Sequence, residues 1–399
     1  MNATLYRDGA LADGRSDRLR LGVSILVADG LITWVRPSDA EGPLPRDAAT
    51  DVVDASGSTF VPGMVDCHSH LTLPGGAHWI DRTDDPPERL LAVAERNGRM
   101  MTGAGVRWAR DVGAPRIEDP VDGHLRALSL GVRDRWRGRP GFPHVRAAGT
   151  WLDRAGTMPG PRSVEASDAD ELLRLAIGQL NDGADLLKLY LDGPEAGVAP
   201  WSAEELRPVI AAAHSRGVKV TAHSGDLAGA RVGVAAGVDS LEHGMELDAD
   251  VAAAMAAQGT ALVSTLAVFR SWLGFATTTS IERFVSPKRR SRILDRQARA
   301  EESVRLARAA GVAIAAGTDF GGGSPRANQL AWEVECLFAA GLEPWEALGA
   351  ATWRGGDLLG EPDAGVIREG GPADFSLVHG DPLSDPTALW RVWHVAWAG

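Results

Sequence analysis

The chain has 399 residues, of which 44% are hydrophobic and 24% charged, which is typical of a soluble globular protein with one large domain and one small one. Its 41 Lys and Arg against 53 Asp and Glu give a net charge of −12, which argues against nucleic-acid and anionic-membrane partners. Cys67 and Cys336 offer no disulfide framework, and no apolar run approaches about 18 residues. The N-terminus also has no apolar core of signal-peptide type, so we expect a cytoplasmic protein.

The two ends of the chain are predicted to form a small β-rich unit. Near the N-terminus, two apolar runs flank Asp29-Gly30, a dipeptide typical of a tight hairpin turn. Strand-and-turn texture returns at 365–378, close to the C-terminus. We therefore expect residues 1–58 and 360–399 to build one β-sandwich from discontinuous segments.

Between these ends, residues 59–359 alternate between strand-like and helical patterns. The strand-like runs lie at 60–68, 105–112, 144–149, 185–191, 218–223, 238–243, 260–265 and 312–319. The clearest helical patterns are Pro87–Met101, Asp168–Asn181, Ser202–Arg216 and Pro287–Ala310. Ser167 and Ser202 stand at expected helix N-caps, and Gly311 stands at an expected helix end. Eight such repeats predict an α/β protein with a parallel (β/α)8 TIM barrel, with an open doubly wound sheet as the alternative.

Residues that can bind a metal recur where the predicted strands end. His68 and His70 are two positions apart, so both side chains leave the same face of a strand and can chelate one divalent cation. Taken alone, the pair could equally be two polar residues at a strand end. Further candidates follow on later strands, and in a barrel all these strand ends converge on one mouth. These candidates are Lys188 and Tyr190 on one face of the fourth strand, then His223, His243 and Asp319.

Lys188 is unusual because it lies on an apolar strand. A lysine that points into a barrel interior is costly as a cation, since desolvation disfavours its charged form. Either its ammonium group is paired, for instance with Asp319, or the amine is neutral and has reacted with carbon dioxide to give a carboxylate that bridges two metals.

Taken together, these motifs resemble the metal-dependent amidohydrolase superfamily, and in particular its imidazolonepropionase- and prolidase-like branch. The resemblance extends over essentially the whole chain. The residues that carry it are 65–70, Lys188, His223, 242–244, 317–319 and the tail segment 365–374.

The resemblance implies a site with two divalent metal ions, expected to be zinc. His68, His70 and Asp319 would hold the more buried ion, and His223 and His243 the other. A carboxylated Lys188 and a hydroxide would bridge them. Zinc lowers the pKa of a bound water to about 7 and polarises a carbonyl. Asp319 would then act as general base and general acid. Tyr190 would donate a hydrogen bond to a substrate carbonyl or carboxylate, or else pack in the barrel core.

One departure limits what the resemblance implies. Members of this branch often have a Gly-Gly-His run after the third strand that helps to bind substrate. Here the corresponding segment, 149–160, contains no histidine. Dipeptidase activity is therefore not carried over from that branch.

Aromatic residues dominate the loops predicted to surround the mouth. The chain has 13 tryptophans against 2 tyrosines. Four of them are placed to favour an apolar or aromatic substrate, unless they pack beneath their own loops: Trp79, Trp151, Trp201 and Trp272. The long segment 266–287 is expected to form a lid. Three arginines of the mouth loops could pair with a substrate carboxylate or be solvated: Arg154, Arg162 and Arg326.

The favoured function is a binuclear metal-dependent hydrolase of an amide bond. Its substrate would be an N-acyl or peptide-like small molecule with a bulky apolar group. Lactone or ester hydrolysis on the same site is an alternative. A mononuclear deaminase is another, although that subtype typically lacks a lysine at the position of Lys188. A non-catalytic binding protein is disfavoured because every ligand type is retained. No nucleic-acid or membrane partner is expected, and a homo-oligomer is left open.

Overall fold

The computed structural model describes residues 3–44, 50–158 and 163–397. Within them the strands are β1 (Ala3–Leu11), β2 (Arg20–Ala28), β3 (Leu31–Pro37), β4 (Thr50–Asp54), β5 (Ser58–Pro62), β6 (Met64–Ser69), β7 (Val106–Asp111), β8 (Arg116–Glu118), β9 (Leu125–Ala127), β10 (His144–Ala147), β11 (Trp151–Arg154), β12 (Ser163–Ala166), β13 (Leu186–Tyr190), β14 (Lys219–Ser224), β15 (Ser240–His243), β16 (Ala261–Ser264), β17 (Ile314–Ala316), β18 (Phe375–His379) and β19 (Val392–Val395).

The α-helices of the same residues are α1 (Pro87–Gly103), α2 (Leu128–Trp136), α3 (Ala169–Asn181), α4 (Ala203–His214), α5 (Leu227–Ala236), α6 (Ala249–Gln258), α7 (Ala267–Gly274), α8 (Glu282–Val285), α9 (Pro287–Ala310), α10 (Leu330–Ala339), α11 (Pro344–Ala350) and α12 (Trp353–Leu359). Short 3-10 helices occupy Ser38–Ala40, Trp79–Arg82 and Pro386–Trp390. Within the described ranges, no helix is both long and apolar enough to cross a membrane.

The two ends of the chain share one mixed sheet, with strand order β19-β18-β5-β1-β2-β3 and β4 also paired to β1. The predicted hairpin is confirmed between β2 and β3, where Asp29 and Gly30 have φ of 50° and 78°. Positive φ at both central residues matches the twist of a tight hairpin. The rings of Tyr6, Phe60 and Phe375 pack edge to face in the core of this sheet.

Apart from β8 and β9, which form a small antiparallel pair, the remaining strands are parallel, in the order β10-β7-β6 in one sheet and β12-β11-β13-β14-β15-β16-β17 in another. Isolated parallel bridges join the two sheets at Ser69–Phe320 and Ala148–Leu186. Eight of these strands match the eight predicted strand-like runs. A helix follows most of them directly, whereas β8 and β9 intervene after β7, and β11 and β12 after β10. Because the strands are parallel, side chains from their carboxyl ends lie at one edge of the sheets.

The first of the predicted strands, 60–68, is in fact two strands divided at Gly63. Residues before it pair with β1 and β18 of the mixed sheet, whereas β6 pairs with β7 of the parallel sheet. The backbone of Gly63 approaches its neighbours closely, since a Cβ atom at this position would lie 2.4 Å from Cγ of Arg107. A larger residue would push the two sheets apart at this junction.

Of the two predicted serine N-caps, the structure confirms Ser202 and corrects Ser167. Ser202 forms a capping box with Glu205, in which each side chain bonds the other's backbone N–H. Ser167 is not an N-cap, because Asp168 accepts the backbone N–H of Glu171 and caps α3. Ser167 lies one residue earlier and donates its hydroxyl to the Glu171 carboxylate at 2.6 Å.

A buried ion pair connects the mixed sheet to the parallel sheet. Nε of Arg107, on β7, donates to Oδ1 of Asp374 at 2.8 Å, and Asp374 immediately precedes β18. His144 Nε2 lies 3.3 Å from the other carboxylate oxygen. Because both partners of the pair are desolvated, removal of either would leave an uncompensated buried charge.

Candidate active site

A cavity of about 530 Å³ opens at the carboxyl ends of the parallel strands. All six predicted metal ligands line it, together with Tyr190. The six are His68, His70, Lys188, His223, His243 and Asp319. The structure therefore brings these strand-end side chains together around one cavity.

The four histidines form a continuous row of rings. The ring centroids are separated by 5.4 Å between His70 and His68, 4.7 Å between His68 and His243, and 4.6 Å between His243 and His223. One ligand atom each from His68, His243 and Asp319 lies within 4.8 Å of the others, and this is the only such group found among the described residues. Imidazole nitrogens and a carboxylate oxygen at this spacing can hold a divalent metal.

His68 and His70 are oriented alike by partners on their Nδ1 atoms. Nδ1 of His68 lies 2.6 Å from Oε2 of Glu242, and Nδ1 of His70 lies 2.8 Å from the carbonyl oxygen of Gly113. Both Nε2 atoms then point to the same oxygen, Oδ1 of Asp319, at 3.4 and 3.3 Å. Partners of this kind fix the tautomer and ring orientation of metal-binding histidines.

His243 and His223 are oriented by a hydroxyl and a carboxylate. Nδ1 of His243 lies 2.7 Å from Oγ1 of Thr265, and Nε2 of His223 lies 3.0 Å from Oδ2 of Asp192. Burial acts to raise the pKa of Asp192, but the His223 imidazole outweighs it and the pKa is held below its usual range. Asp192 was missed from the sequence. Its even spacing from Lys188 and Tyr190 is a signal that would have found it.

Lys188 has the environment expected of a modified lysine. Its side chain is 1% exposed, and Nζ has no hydrogen-bond partner among the described residues. Desolvation lowers the pKa of the amine to about 8. A buried amine without a partner is unfavourable as a cation, and a neutral amine is the form that reacts with carbon dioxide. The orphaned nitrogen therefore fits a carboxylated side chain that would receive metal ions as partners.

Two of the candidate ligands have unusual backbone conformations. His243 has φ of 68° and Asp319 has φ of 52°, both in the left-handed region that favours glycine. Residues held this way cost about 1–3 kcal/mol each and concentrate at functional sites. Burial acts to raise the pKa of Asp319, but neighbouring imidazoles hold it well below the usual range, so its carboxylate is ionised.

Three of the four predicted tryptophans line the cavity, although they lie on short regular elements. Trp79 and Trp272 stack with 6.0 Å between centroids, and Trp151 lies 5.1 Å from the His70 ring. The prediction was wrong for Trp201, which is 2% exposed and does not line the cavity. Because Ser202 begins α4, the Trp201 ring turns into the core and stacks beneath the Arg154 guanidinium at 4.6 Å.

Among the described residues, the arginine that lines the cavity is Arg296 on α9, which the sequence did not single out. Its guanidinium forms no hydrogen bond or ion pair with another described residue. Of the three expected arginines, Arg154 donates to the carbonyl oxygen of Pro200 at 2.7 Å and does not line the cavity. Arg326 is exposed and also does not line it, and Arg162 lies outside the described residues.

Comparison with known proteins defines the class to which this fold and site belong. Residues 59–396 match the model of the amidohydrolase family. The chain therefore belongs to the amidohydrolase family, and it is a hydrolase.

Relatives with curated sequences cover most of the chain. An uncharacterized protein of Mycobacterium tuberculosis is 31% identical over 349 residues, which are 86% of this chain and 85% of that protein. The ochratoxinase of Aspergillus niger is 27% identical over 428 residues, 98% of this chain and 85% of that protein. The imidazolonepropionase of Salinispora arenicola is 28% identical over 397 residues, 90% of this chain and 86% of that protein. The resemblance to imidazolonepropionases is thus supported.

Solved structures match the fold along its whole length. A crystal structure of an amidohydrolase superposes with a TM-score of 0.81 at 26% identity, covering 100% of this chain and 98% of that one. An Xaa-Pro dipeptidase with bound methionine gives a TM-score of 0.82 at 24% identity, covering 99% and 98% of the two chains. At 24% identity, the similarity to the Xaa-Pro dipeptidase shows that the two proteins share a fold.

Proposed function

We propose that this chain is a binuclear metal-dependent hydrolase that cleaves an amide bond. His68, His70 and Asp319 would hold one divalent metal, expected to be zinc, and His223 and His243 would hold the second. Carboxylated Lys188 would join the two. The observation that carries this proposal is the buried Nζ of Lys188, which has no described partner yet shares one cavity with all five other ligands.

The metals, when bound, would supply a water of lowered pKa and polarise the scissile carbonyl. The protein's own contribution begins with Asp319, whose ionised carboxylate is a general base. It would accept the proton of the attacking water and then donate it to the nitrogen of the leaving amine. The left-handed backbone at Asp319 keeps its carboxylate directed at the His68 and His70 rings.

The cavity walls support a substrate with an aromatic or other bulky apolar group. The three wall tryptophans (Trp79, Trp151 and Trp272) supply a large apolar surface beside the candidate ligands. Tyr190 and Arg296 line the same cavity and would contact the polar part of the substrate, a carbonyl or a carboxylate. An N-acyl amino acid or related amide has both features. One relative of the chain is named ochratoxinase, and this relationship is consistent with the proposal that the chain is a hydrolase of this architecture.

The architecture and setting of the chain form part of the same proposal. The eight parallel strands would close into a TIM barrel that begins at β6 and ends near residue 359, and the segments before Gly63 and after residue 360 would form the composite β-sandwich. Support for closure comes from the two bridges that join the parallel sheets. Cys67 and Cys336 are buried free thiols, which is compatible with action in the cytoplasm.

Metal content and hydrolysis test the proposal together. Protein loaded with zinc and bicarbonate should contain two metal ions per chain and hydrolyse some N-acyl amino acids. His223→Asn should retain one ion and lose activity. His214→Asn is the matched control, because His214 is an exposed histidine of α4 bonded to Asp239 and should retain both ions. A wild-type chain that binds no metal and cleaves no amide would refute the proposal.

A further inference from the structure

A buried arginine is linked to a candidate metal ligand through one glutamate. Arg110, near the end of β7, is 5% exposed and uses three of its nitrogens as donors. Nε donates to the Cys67 carbonyl oxygen at 2.6 Å, Nη1 donates to Oγ of Ser240 at 3.1 Å, and Nη2 donates to Oε1 of Glu242 at 2.5 Å. The guanidinium is thereby fixed against β6 and β15 together.

Glu242 divides its two oxygens between this support and the imidazole of His68. Oε1 accepts from Arg110 and from the hydroxyls of Thr221 and Ser240. Oε2 has one described partner, Nδ1 of His68 at 2.6 Å. A carboxylate is an acceptor only, so Nδ1 carries a hydrogen, and in the neutral imidazole Nε2 then keeps its lone pair. That lone pair faces Asp319 and the cavity.

We propose that Arg110 and Glu242 are a positioning pair that sets the tautomer and ring plane of His68, so that its Nε2 is always available to a metal ion. This inference rests on the proposed function, since it assigns His68 a metal. Arg110 is required because a buried carboxylate without a compensating cation is strongly unfavourable. Glu242 transmits the constraint, and neither residue needs to touch the substrate.

The same strand provides a matched control. Arg107 and Asp374 also form a buried arginine–carboxylate pair, at 2.8 Å, and neither residue lines the cavity. Disrupting that pair removes a buried ion pair of the same kind without altering any contact of a candidate ligand. A purely structural role for Glu242 therefore predicts equal effects of Glu242→Gln and Asp374→Asn on metal affinity.

Glu242→Gln is expected to reverse the His68 tautomer. Arg110 will hold the amide oxygen, which turns the amide NH₂ toward Nδ1 of His68. Nδ1 must then act as the acceptor, and the hydrogen moves to Nε2, where it blocks the metal-facing lone pair. Loss of such an orienting partner typically weakens metal binding by about 10- to 100-fold.

The test combines three measurements on the full chain. Zinc affinity is measured by chelator competition, the free energy of unfolding by urea on metal-free protein, and the His68 tautomer by NMR on metal-free protein with ¹⁵N-histidine. His68→Asn identifies the His68 signal. Glu242→Gln should show Nε2 protonated and zinc affinity lowered about 10- to 100-fold. Asp374→Asn should be less stable but have the wild-type zinc affinity and tautomer.

Two results would overturn the inference: an unchanged His68 tautomer in Glu242→Gln, or equal losses of zinc affinity in Glu242→Gln and Asp374→Asn. If Glu242→Gln does not fold, Glu242→Asp replaces it. That variant retains the charge beside Arg110 but withdraws the carboxylate from Nδ1, so the same readouts should shift in the same direction. If wild-type protein binds no metal, the proposed function fails, and the tautomer of the metal-free protein still decides whether Glu242 sets it.

Discussion

The rings of Tyr190 and His223 lie stacked, with 4.3 Å between centroids and an angle of 13° between planes. Tyr190 therefore packs against a candidate metal ligand as well as facing the cavity, and its two expected roles can be separated by mutation. The ring supports His223, and the hydroxyl is available to a substrate.

Tyr190→Phe should preserve the stack and remove only the hydroxyl. We expect full metal content and an increase in KM of about tenfold for substrates that accept its hydrogen bond. Tyr190→Ala should in addition lose metal at His223. Kinetics and metal analysis of both variants check this. Unchanged kinetics in Tyr190→Phe would leave Tyr190 with the packing role alone.

Lys188→Ala should abolish the bridge between the two metals. Because a catalytic metal contributes several kcal/mol of transition-state stabilisation, we expect kcat/KM to fall on the order of 10³-fold. Added short carboxylates should restore part of the lost kcat/KM, because they can occupy the position of the missing lysine carboxylate. Lys219→Ala is the control, since Nζ of Lys219 donates to the Leu358 carbonyl oxygen at 2.6 Å, away from the cavity. Full metal content and rate in Lys188→Ala would contradict the bridge.

Arg296 should determine whether a charged substrate is preferred. Arg296→Gln should lower kcat/KM about 10- to 100-fold for an N-acyl amino acid, since a hydrogen bond to a charged group is worth about 1.5–3 kcal/mol. Hydrolysis of the corresponding carboxamide should change little. Arg292→Gln is the matched control, because Arg292 lies one turn earlier on α9 and does not line the cavity. Equal losses on both substrates would exclude recognition of the carboxylate.

Trp272 and Trp201 should respond differently to truncation. Trp272→Ala removes the stack with Trp79 and should lower kcat/KM about tenfold for aromatic acyl groups, with less effect on small acyl groups. Trp201→Ala empties a core position and should cost about 3–5 kcal/mol of stability while leaving this preference unchanged. Substrate profiles and urea unfolding distinguish the two. A shifted preference in Trp201→Ala would contradict its core position.

The contrast between these tryptophans shows what the sequence could predict. The eight parallel strands were predictable from their periodic patterns. The six candidate ligands were predictable from polar residues at or near the ends of those strands, taken together with the family resemblance. The direction of Trp201 was not, because it is set by the helix that Ser202 begins and by Arg154, 47 positions earlier in the chain.

Long-range pairing explains why the orienting roles of Glu242 and Arg110 were not predicted. Glu242, on β15, orients His68 from a strand that does not pair with β6, and Arg110 reaches Glu242 from 132 positions away. The division of 60–68 at Gly63 likewise depends on close approach to Arg107 on another strand. Relationships of this kind follow from strand order and side-chain direction, which a single sequence does not specify.

The Arg107–Asp374 pair should make stability depend on pH in the acid range. Burial acts to raise the pKa of Asp374, but its contacts with His144 and Arg107 lower it below the usual value of an aspartate. A carboxyl group with a depressed pKa in the folded state binds fewer protons there than in the unfolded chain. Its contribution to stability is therefore complete above the unfolded pKa of about 3.9 and is lost as the pH falls through the lower, folded pKa.

Asp374→Asn removes this titration and leaves Arg107 without its charged partner. We expect a loss of about 3 kcal/mol at pH 6, since breaking a buried pair exposes the full desolvation cost of the remaining charge. The difference between wild type and variant should shrink below about pH 4. Urea unfolding of both proteins at a series of pH values measures this difference in the free energy of unfolding. Asp363→Asn, at an exposed ion pair with Arg368, is the control and should change stability by less than about 1 kcal/mol at any pH. A difference between wild type and Asp374→Asn that stays constant down to pH 3 would show that the charge on Asp374 does not stabilise the junction of the two sheets.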